Sequence, residues 1–339
     1  MDGRAIRPGQ ITDGCPAGPA GERAFATLVD RHRRELHVHC YRMLGSYTDA
    51  EDLVQETFLR AWRGRDGFAG RSSFRTWLYR IATNACLDAL EHGSRRVQPV
   101  APGGDPLADL PGLQPYPDHL LDTVAPPSDD PDAVVVSRET VELTFLAAIQ
   151  HLPPRQRAVL IMRDVLGWTA AEAASLLDVS EATANSLVQR ARATLRRHRP
   201  GGRHEWSPAR ASEEERAVLR RYVDAHARAD ADAIVAMLRS DSRVTMPPEA
   251  PCVGRDAAAA FFRALLGAGG PGDWSLVPTR ANRRPATANY LRRHGGTAYR
   301  ALSIDVLHVE DGRLAAVNCF LGDDLFPAFG LPPVLRPGR

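Results

Sequence analysis

From about Phe25 to His92 apolar residues recur with helical period, then lose it abruptly over Val97–Ser137 and regain it from Arg138 to Arg199. Pro200, Gly201 and Gly202 stop the second helical stretch, and Trp206–Ala211 forms a short linker. The pattern beyond it is mixed. Glu213–Ala229 reads as a long helix, Ala233–Leu238 as a shorter one, Ser242–Met246 as a strand and Arg255–Leu266 as a helix. Strands are expected near Trp274–Arg280, Ala286–Arg292, Thr297–Val309 and Arg313–Leu321, with Asp311-Gly312 as the last hairpin turn. Helices followed by an antiparallel sheet predict an α+β unit. The expected whole is multidomain: two all-α helical units and one α+β unit, too much chain for a single core.

Within the first unit, Asp49–Trp62 places Ala50, Leu53, Val54, Thr57, Phe58 and Ala61 on one face, which should enter a core. The opposite face carries Asp52, Glu56 and Arg63, with Leu59 among them. A leucine between carboxylates suits a partner surface, although a plain solvated face gives the same charges. Gly64–Ser73 is expected to be a glycine-rich loop containing Phe68, and Ser72 or Ser73 can cap the helix Phe74–Glu91. That helix buries Phe74, Trp77, Leu78, Ile81, Ala82 and Ala85 and aligns Thr76, Arg80 and Asn84 outside. Such a row beside an aromatic loop can hold an unstacked base: the ring stacks, Asn reads a base edge and Arg meets phosphate. Spacing alone equally allows Asn84 to be an ordinary surface residue.

In the second unit, Thr169 and Glu172 form a capping box that opens a helix to Leu177. Asp178-Val179 turns the chain, and Ser180 caps a second helix to about Arg199. Ala184, Leu187, Val188, Ala191 and Leu195 form its core stripe, while Ser186, Gln189, Arg190, Ala193, Arg196 and Arg197 point away. Short polar groups early and arginines late are the division a helix in the major groove needs. Helix pairs of this kind also occur in proteins that bind no DNA, so the segment alone leaves both readings open.

Composition adds limits. The net charge of +2 gives no bulk basicity, so any nucleic-acid surface is local. Every basic side chain other than histidine is arginine. Five scattered cysteines (Cys15, Cys40, Cys86, Cys252, Cys319) make no metal-binding pair and read as reduced thiols of a cytoplasmic protein. No apolar run reaches membrane-spanning length, and the Gly/Pro-rich residues 1–22 read as disordered and contain no signal-peptide core. Val97–Ser137, with nine prolines, seven aspartates and no Arg, reads as an acidic linker that does not pack.

Together DAEDLVQETFLRAW, FRTWLYRIATNACLDAL and HLPPRQRAVLIMRDVLGWTAAEAASLLDVSEATANSLVQRARATLRR resemble regions 2.2, 2.3–2.4 and 4 of the extracytoplasmic-function (ECF) sigma factors. The resemblance covers about residues 22–199. It implies region 2 over 23–96, the linker over 97–137, region 4 over 138–200 and a second linker over 201–211. It implies core RNA polymerase and promoter DNA as partners. Asp52, Gln55, Glu56 and Leu59 would face the clamp of the largest polymerase subunit, and the flap would be a further contact. Phe68, Thr76, Arg80 and Asn84 would serve the −10 element. Asn185, Ser186, Gln189 and Arg190 would read the −35 element, with Arg192 and Arg196 on phosphates. The acidic linker would lie in the RNA-exit path.

Residues 212–335 resemble the cone-shaped SnoaL-like or NTF2-like fold, through RRYVDAHARADADAIVAMLRSDSRVTMPP, GRDAAAAFF and the strands. The resemblance implies a regulatory domain with a small-molecule ligand as a possible partner. Tyr222, His226, Asp241, Tyr290, His308 and Asn318 are the polar candidates for an enzyme of this fold, but no two of them pair by spacing. The expectation is therefore no enzyme, catalytic residue, cofactor, metal or membrane. Two other readings predict different behaviour. A helix-turn-helix repressor would bind promoter duplex without polymerase, and a bifunctional enzyme would turn over a ketone or polyketide-like substrate.

Overall fold

The computed structural model describes residues 19–68, 72–92, 107, 110, 112–121, 141–198 and 212–336. Residues 19–22, expected to be disordered with the rest of the N-terminus, are helical instead, while residues 1–18, most of the acidic linker and the 201–211 linker lie outside these residues.

The first helical stretch divides into α1 (Pro19–Leu44), α2 (Tyr47–Gly64) and α3 (Phe74–His92). Gly45, at φ +71°, ends α1. Ser46 then caps α2, its Oγ accepting from the Asp49 amide at 3.2 Å. The expected core face of α2 is buried apart from Leu53, which is half-buried. Ser73 caps α3 by accepting from the Thr76 amide at 3.1 Å. The loop expected from Gly64 is shorter, because α2 runs to Gly64 and a 3₁₀ turn covers Arg65–Gly67. Of the stripe expected to be core in α3, Leu78, Ala82 and Ala85 are buried while Phe74, Trp77 and Ile81 are half-buried, and a second stripe is buried beside it: Tyr79, Thr83 and Cys86. Helical period could not reveal this, since it arises from sandwiching α3 between α1–α2 and the second unit.

The linker carries α4 (Asp118–Leu121), and the second unit holds α5 (Leu143–Gln150), α6 (Pro154–Leu160) with a π turn at Ile161–Val165, α7 (Ala170–Leu177) and α8 (Glu181–His198). The Thr169/Glu172 capping box is formed, and Asp178 takes the left-handed conformation at φ 52°. Ser180 caps α8, accepting from the Thr183 amide at 3.2 Å. Arg157 pins this unit to the first. Fully buried, it donates to the Met43 carbonyl and the Gln150 side chain, to Gln150 O at 2.7 Å and to Leu152 O at 3.2 Å. Tyr79 and Trp168 meet edge-on across the same seam, 5.8 Å between ring centres.

The C-terminal unit is α9 (Glu213–Ala227), α10 (Ala231–Met237) and α11 (Arg255–Leu266) against one seven-stranded sheet. Its strands are β1 (Leu238–Thr245), β2 (Cys252–Val253), β3 (Gly272–Ala281), β4 (Arg284–Arg293), β5 (Tyr299–Glu310), β6 (Arg313–Leu321) and β7 (Val334–Leu335). The order is β2-β1-β6-β5-β4-β3, with β7 on β5. The sheet is mixed, contrary to the antiparallel expectation, since β1 runs parallel to β6. The excursion through β2 and α11 lets β1 pair with the last long strand rather than with β3. Asp311-Gly312 makes the β5–β6 turn with both φ angles positive.

β4 is buried on both sides. One face of the sheet packs under α9–α11. Ala286, Ala288, Tyr290, Ile304, Val306 and Phe320 on the other join Phe326, Phe329 and the helical units in one apolar cluster.

The acidic linker does contain a packed element, which corrects the expectation. Leu113, Tyr116 and Leu121 are buried, and so is Asp118. Composition hid it because three apolar side chains among prolines have no period, whereas each finds a niche on another unit.

Burial holds His37 and His226 at a pKa of about 4 and His39 at about 3. Between those values and the ordinary imidazole value near 6.5 the unfolded chain binds protons that the folded chain does not. Stability should therefore fall as pH drops from about 6.5 to about 4. Asp305, raised to about 6 by burial, and Asp118, also raised by burial, oppose this with two groups against three. Denaturant melts across that pH range check the slope; a midpoint that rises on acidification contradicts it.

Candidate nucleic-acid and polymerase interface

On α2 the core stripe turns Asp52, Gln55 and Leu59 outward, with Glu56 half-exposed. Leu59 is 51% exposed, one of the few large apolar side chains left in water. Glu56 accepts from Arg60 Nε at 2.8 Å, and Arg60 also reaches Asp88 at 2.9 Å. The patch is therefore an apolar contact flanked by acids, one of them already paired.

Phe68 lies on Trp77 and Phe74, at ring distances of 5.0 and 5.9 Å. Arg80 and Asn84 are exposed on the outer face of α3, and half-buried Thr76 begins that row. The ring and the polar row thus share one end of the helical unit, although Phe68 packs on aromatics rather than standing free.

Burial of Ala184, Val188 and Ala191 turns α8 outward through Asn185, Ser186, Gln189, Arg190 and Arg196, all exposed. Arg192 differs. Asp164 of the π turn holds it with two bonds, at 3.0 and 2.5 Å. It is bound to a carboxylate of its own unit, a pairing that spacing along one helix could not disclose.

Sequence reasoning missed a third feature, where the β3–β4 turn meets the linker. Asn282, buried at φ 52°, donates through Nδ2 to Tyr41 Oη at 2.9 Å and to Val141 O at 2.5 Å. Its Oδ1 accepts from the Tyr116 amide at 2.8 Å, and its own amide donates to Tyr116 O at 2.9 Å. Next to it Asp118 accepts from the Arg283 amide at 2.7 Å and from Arg280 at 3.0 Å. Burial nevertheless keeps the Asp118 carboxyl above its ordinary range. Arg284 reaches Glu142 at 3.2 Å. Tyr116 itself sits among His37, Tyr41 and Tyr47. The signal available in sequence was a lone Tyr-Pro-Asp among prolines and an Asn-Arg turn between two strands.

The profile of Sigma-70 region 2 matches residues 28–96, that of Sigma-70 region 4 matches 142–195, and that of the SnoaL-like domain matches 219–317. The ECF RNA polymerase sigma factor SigG of Mycobacterium tuberculosis (strain H37Rv) is 44% identical over 329 residues, spanning 94% of this chain and 87% of that protein. The chain belongs to the ECF sigma factors. The sigma factor is also 34% identical to SigW of Bacillus subtilis (strain 168) over 174 residues, 51% of this chain and 88% of the relative. Crystalline SigJ of Mycobacterium tuberculosis shares the fold at a TM-score of 0.59 and 24% identity, covering 91% of this chain and all of that one. As a member of the family the sigma factor directs RNA polymerase to promoters. The helical units followed by a SnoaL-like sheet domain are the architecture expected from its sequence.

Of the polar candidates in the C-terminal domain, the structure does not assemble a set. Asp241 is exposed and paired with Arg239 at 2.9 Å, His308 lies 3.3 Å from Glu310, and Tyr290 donates to Pro332 O on the other face of the sheet. Asn318 accepts from Thr245 at 2.9 Å. The rings of Tyr222 and His226 lie tilted against each other at 4.3 Å, and Tyr222 reaches a buried carboxylate, Asp305, at 3.5 Å. Among the described residues Cys40, Cys86, Cys252 and Cys319 are free thiols, and no helix is long and apolar enough to cross a membrane.

Proposed function

We propose that α2 docks on the clamp of the largest polymerase subunit through Asp52, Gln55, Glu56 and Leu59. Phe68, Thr76, Arg80 and Asn84 then hold the melted −10 element, and α8 reads the −35 element through Asn185, Ser186, Gln189 and Arg190. The flap is a further contact of the second helical unit. Arg196 binds phosphate, and Arg192 does so only if it leaves Asp164. The observation that carries this reading is the exposure of Leu59 between carboxylates on a helix whose other face is core. An affinity measurement on purified core polymerase tests it. The full chain should bind, and Leu59→Arg should weaken binding at least ~10-fold, as loss of a buried apolar anchor does. Undiminished binding of the variant refutes the docking face.

Arg190→Ala should reduce discrimination at one −35 position by about 1–3 kcal/mol. Arg196→Ala should instead weaken all promoters alike and lower the salt slope by about 1. Titrations of holoenzyme on matched and mismatched promoters at several salt concentrations separate the two. If the patterns are exchanged, so are the roles.

The C-terminal domain modulates this activity and receives a small-molecule signal. Support comes from the Asn282 turn, which joins that domain to the linker, to α1 and to the entry of α5 at once. Removing residues 205–339 should alter promoter output in transcription with purified core, and equal output refutes modulation.

A further inference from the structure

Asn185, Gln189, Arg192 and Arg196 fall at i, i+4, i+7 and i+11 of α8, so the four share one row along the helix. Asn185, Gln189 and Arg196 are exposed on that row. The guanidinium of Arg192 is instead turned aside to Asp164, Nε donating to Oδ2 at 3.0 Å and Nη2 to Oδ1 at 2.5 Å. Two parallel bonds of this kind fix the planar group against the carboxylate. Arg190, by contrast, meets no carboxylate among the described residues and leans on Ser186 O at 3.4 Å. The Arg192 and Asp164 side chains stay 40% and 32% exposed, so a second anion can approach the pair.

Backbone geometry sets the place of Asp164. It lies in the π turn, where the Leu166 amide donates to Ile161 O at 3.0 Å, one residue wider than α spacing. The Trp168 amide donates to Met162 O at 3.0 Å, and Arg163 donates to Trp168 O, so the turn is tied to the entry of α7. The carboxylate is thus held on a firm support and takes one cation out of the outward row of α8. Each cation that meets a phosphate steepens the logarithmic salt dependence of DNA binding by about 0.9 on any sequence. Phosphate contacts therefore strengthen binding to wrong sites as much as to right ones. An exposed ion pair is held only weakly, so a phosphate brought close enough can take Arg192 from Asp164.

We propose that Asp164 is a positioning residue that sharpens −35 specificity: it withholds Arg192 from the phosphates of non-matching duplex and yields it only where base contacts seat α8 in the groove. On a matched element Asn185, Ser186, Gln189 and Arg190 make those contacts, and a phosphate then stands beside a guanidinium on the same row. On other sequences α8 lies less deeply and the carboxylate keeps Arg192. One phosphate contact is thereby added to the matched complex alone. The proposal rests on the reading that α8 recognises the −35 element, and adds a residue outside α8 that sets how strictly it does so.

The test uses holoenzyme made from core polymerase and the full chain, titrated at several salt concentrations on two promoters that differ only in a matched or scrambled −35 element. Asp164→Asn should bind the scrambled promoter about 3-fold more tightly and steepen its salt slope by about 0.9, with the matched slope unchanged. Discrimination then falls by the same factor, and Asp164→Glu, which keeps the carboxylate, should restore it. A pair that merely braced the fold would shift both promoters together and leave the slopes alone. The double variant Asp164→Asn with Arg192→Gln, in which neither group is charged, gives an independent reading. It should bind the scrambled promoter like the wild type and the matched one about 3-fold more weakly. The proposal is overturned if Asp164→Asn leaves the scrambled slope unchanged or weakens both promoters alike, or if the double variant discriminates as well as the wild type. If the wild type itself binds both promoters equally, the reading of α8 fails and takes this proposal with it. If the wild type discriminates and Asp164→Asn discriminates as well, only the role of Asp164 falls.

Discussion

Replacing Arg157 with Met should cost about 3–5 kcal/mol of stability, the largest loss expected from any single change in the helical units. The guanidinium is fully buried, and its acceptors are the carbonyls of Met43, Gln150 and Leu152 and the Gln150 side chain. Burial lowers its pKa to about 9, so it stays a cation at neutral pH with carbonyl dipoles instead of a carboxylate around it. Methionine fills much of the volume but leaves those acceptors facing an apolar group. Lysine keeps the charge but lacks the planar fork that spans several oxygens, so Arg157→Lys should recover only part of the loss. Guanidinium melts followed by tryptophan fluorescence measure both. A loss below about 1 kcal/mol for Met would show that the carbonyls find other donors. Since Met43 lies at the end of α1 and Arg157 in α6, the same variant should also loosen the two helical units from each other.

Asn282→Ala should release the C-terminal domain, shifting the docked-to-undocked ratio about 100-fold. Three side-chain hydrogen bonds disappear, leaving Tyr41 Oη, Val141 O and the Tyr116 amide to find other partners. At about 1 kcal/mol net for each bond, the sum approaches the required 2.7 kcal/mol. Alanine at φ 52° adds backbone strain, which Asn and Gly avoid. Asn282→Gly therefore isolates the hydrogen bonds from the strain. Small-angle scattering should report a larger radius for both variants, with run-off transcription on core polymerase changed in parallel. An unchanged radius for Asn282→Ala would refute the turn as the clasp. A larger radius with unchanged output would refute its link to activity.

The helical units were legible because each buries one stripe. Ala50, Val54 and Phe58, and Ala184, Val188 and Ala191, announce their faces by spacing, and the outward positions of Leu59, Ser186 and Arg190 follow from them. Second faces were not legible. Tyr79, Thr83 and Cys86 are buried by another unit, and no period within α3 encodes that. Arg192 looked like a phosphate ligand until the π turn put Asp164 against it. In the C-terminal domain the strands were recognisable but their neighbours were not, so the parallel β1–β6 pair was missed. Asp305 stayed hidden for the same reason. Inside Ser303–Leu307 it reads as one acid in an apolar run, and only register sets it beside Thr287 and Cys319.

The way Tyr116 is held bears on how shortened forms of the chain behave. It is walled by His37, Tyr41 and Tyr47 on one side and bonded to the Asn282 turn on the other. Cutting away everything after α8 would strip one side from this aromatic nest and bare Val141 beside it, creating a sticky shelf where the intact chain has an interior. A truncated protein is thus a different surface as well as a shorter one, and self-association is a predictable property of it.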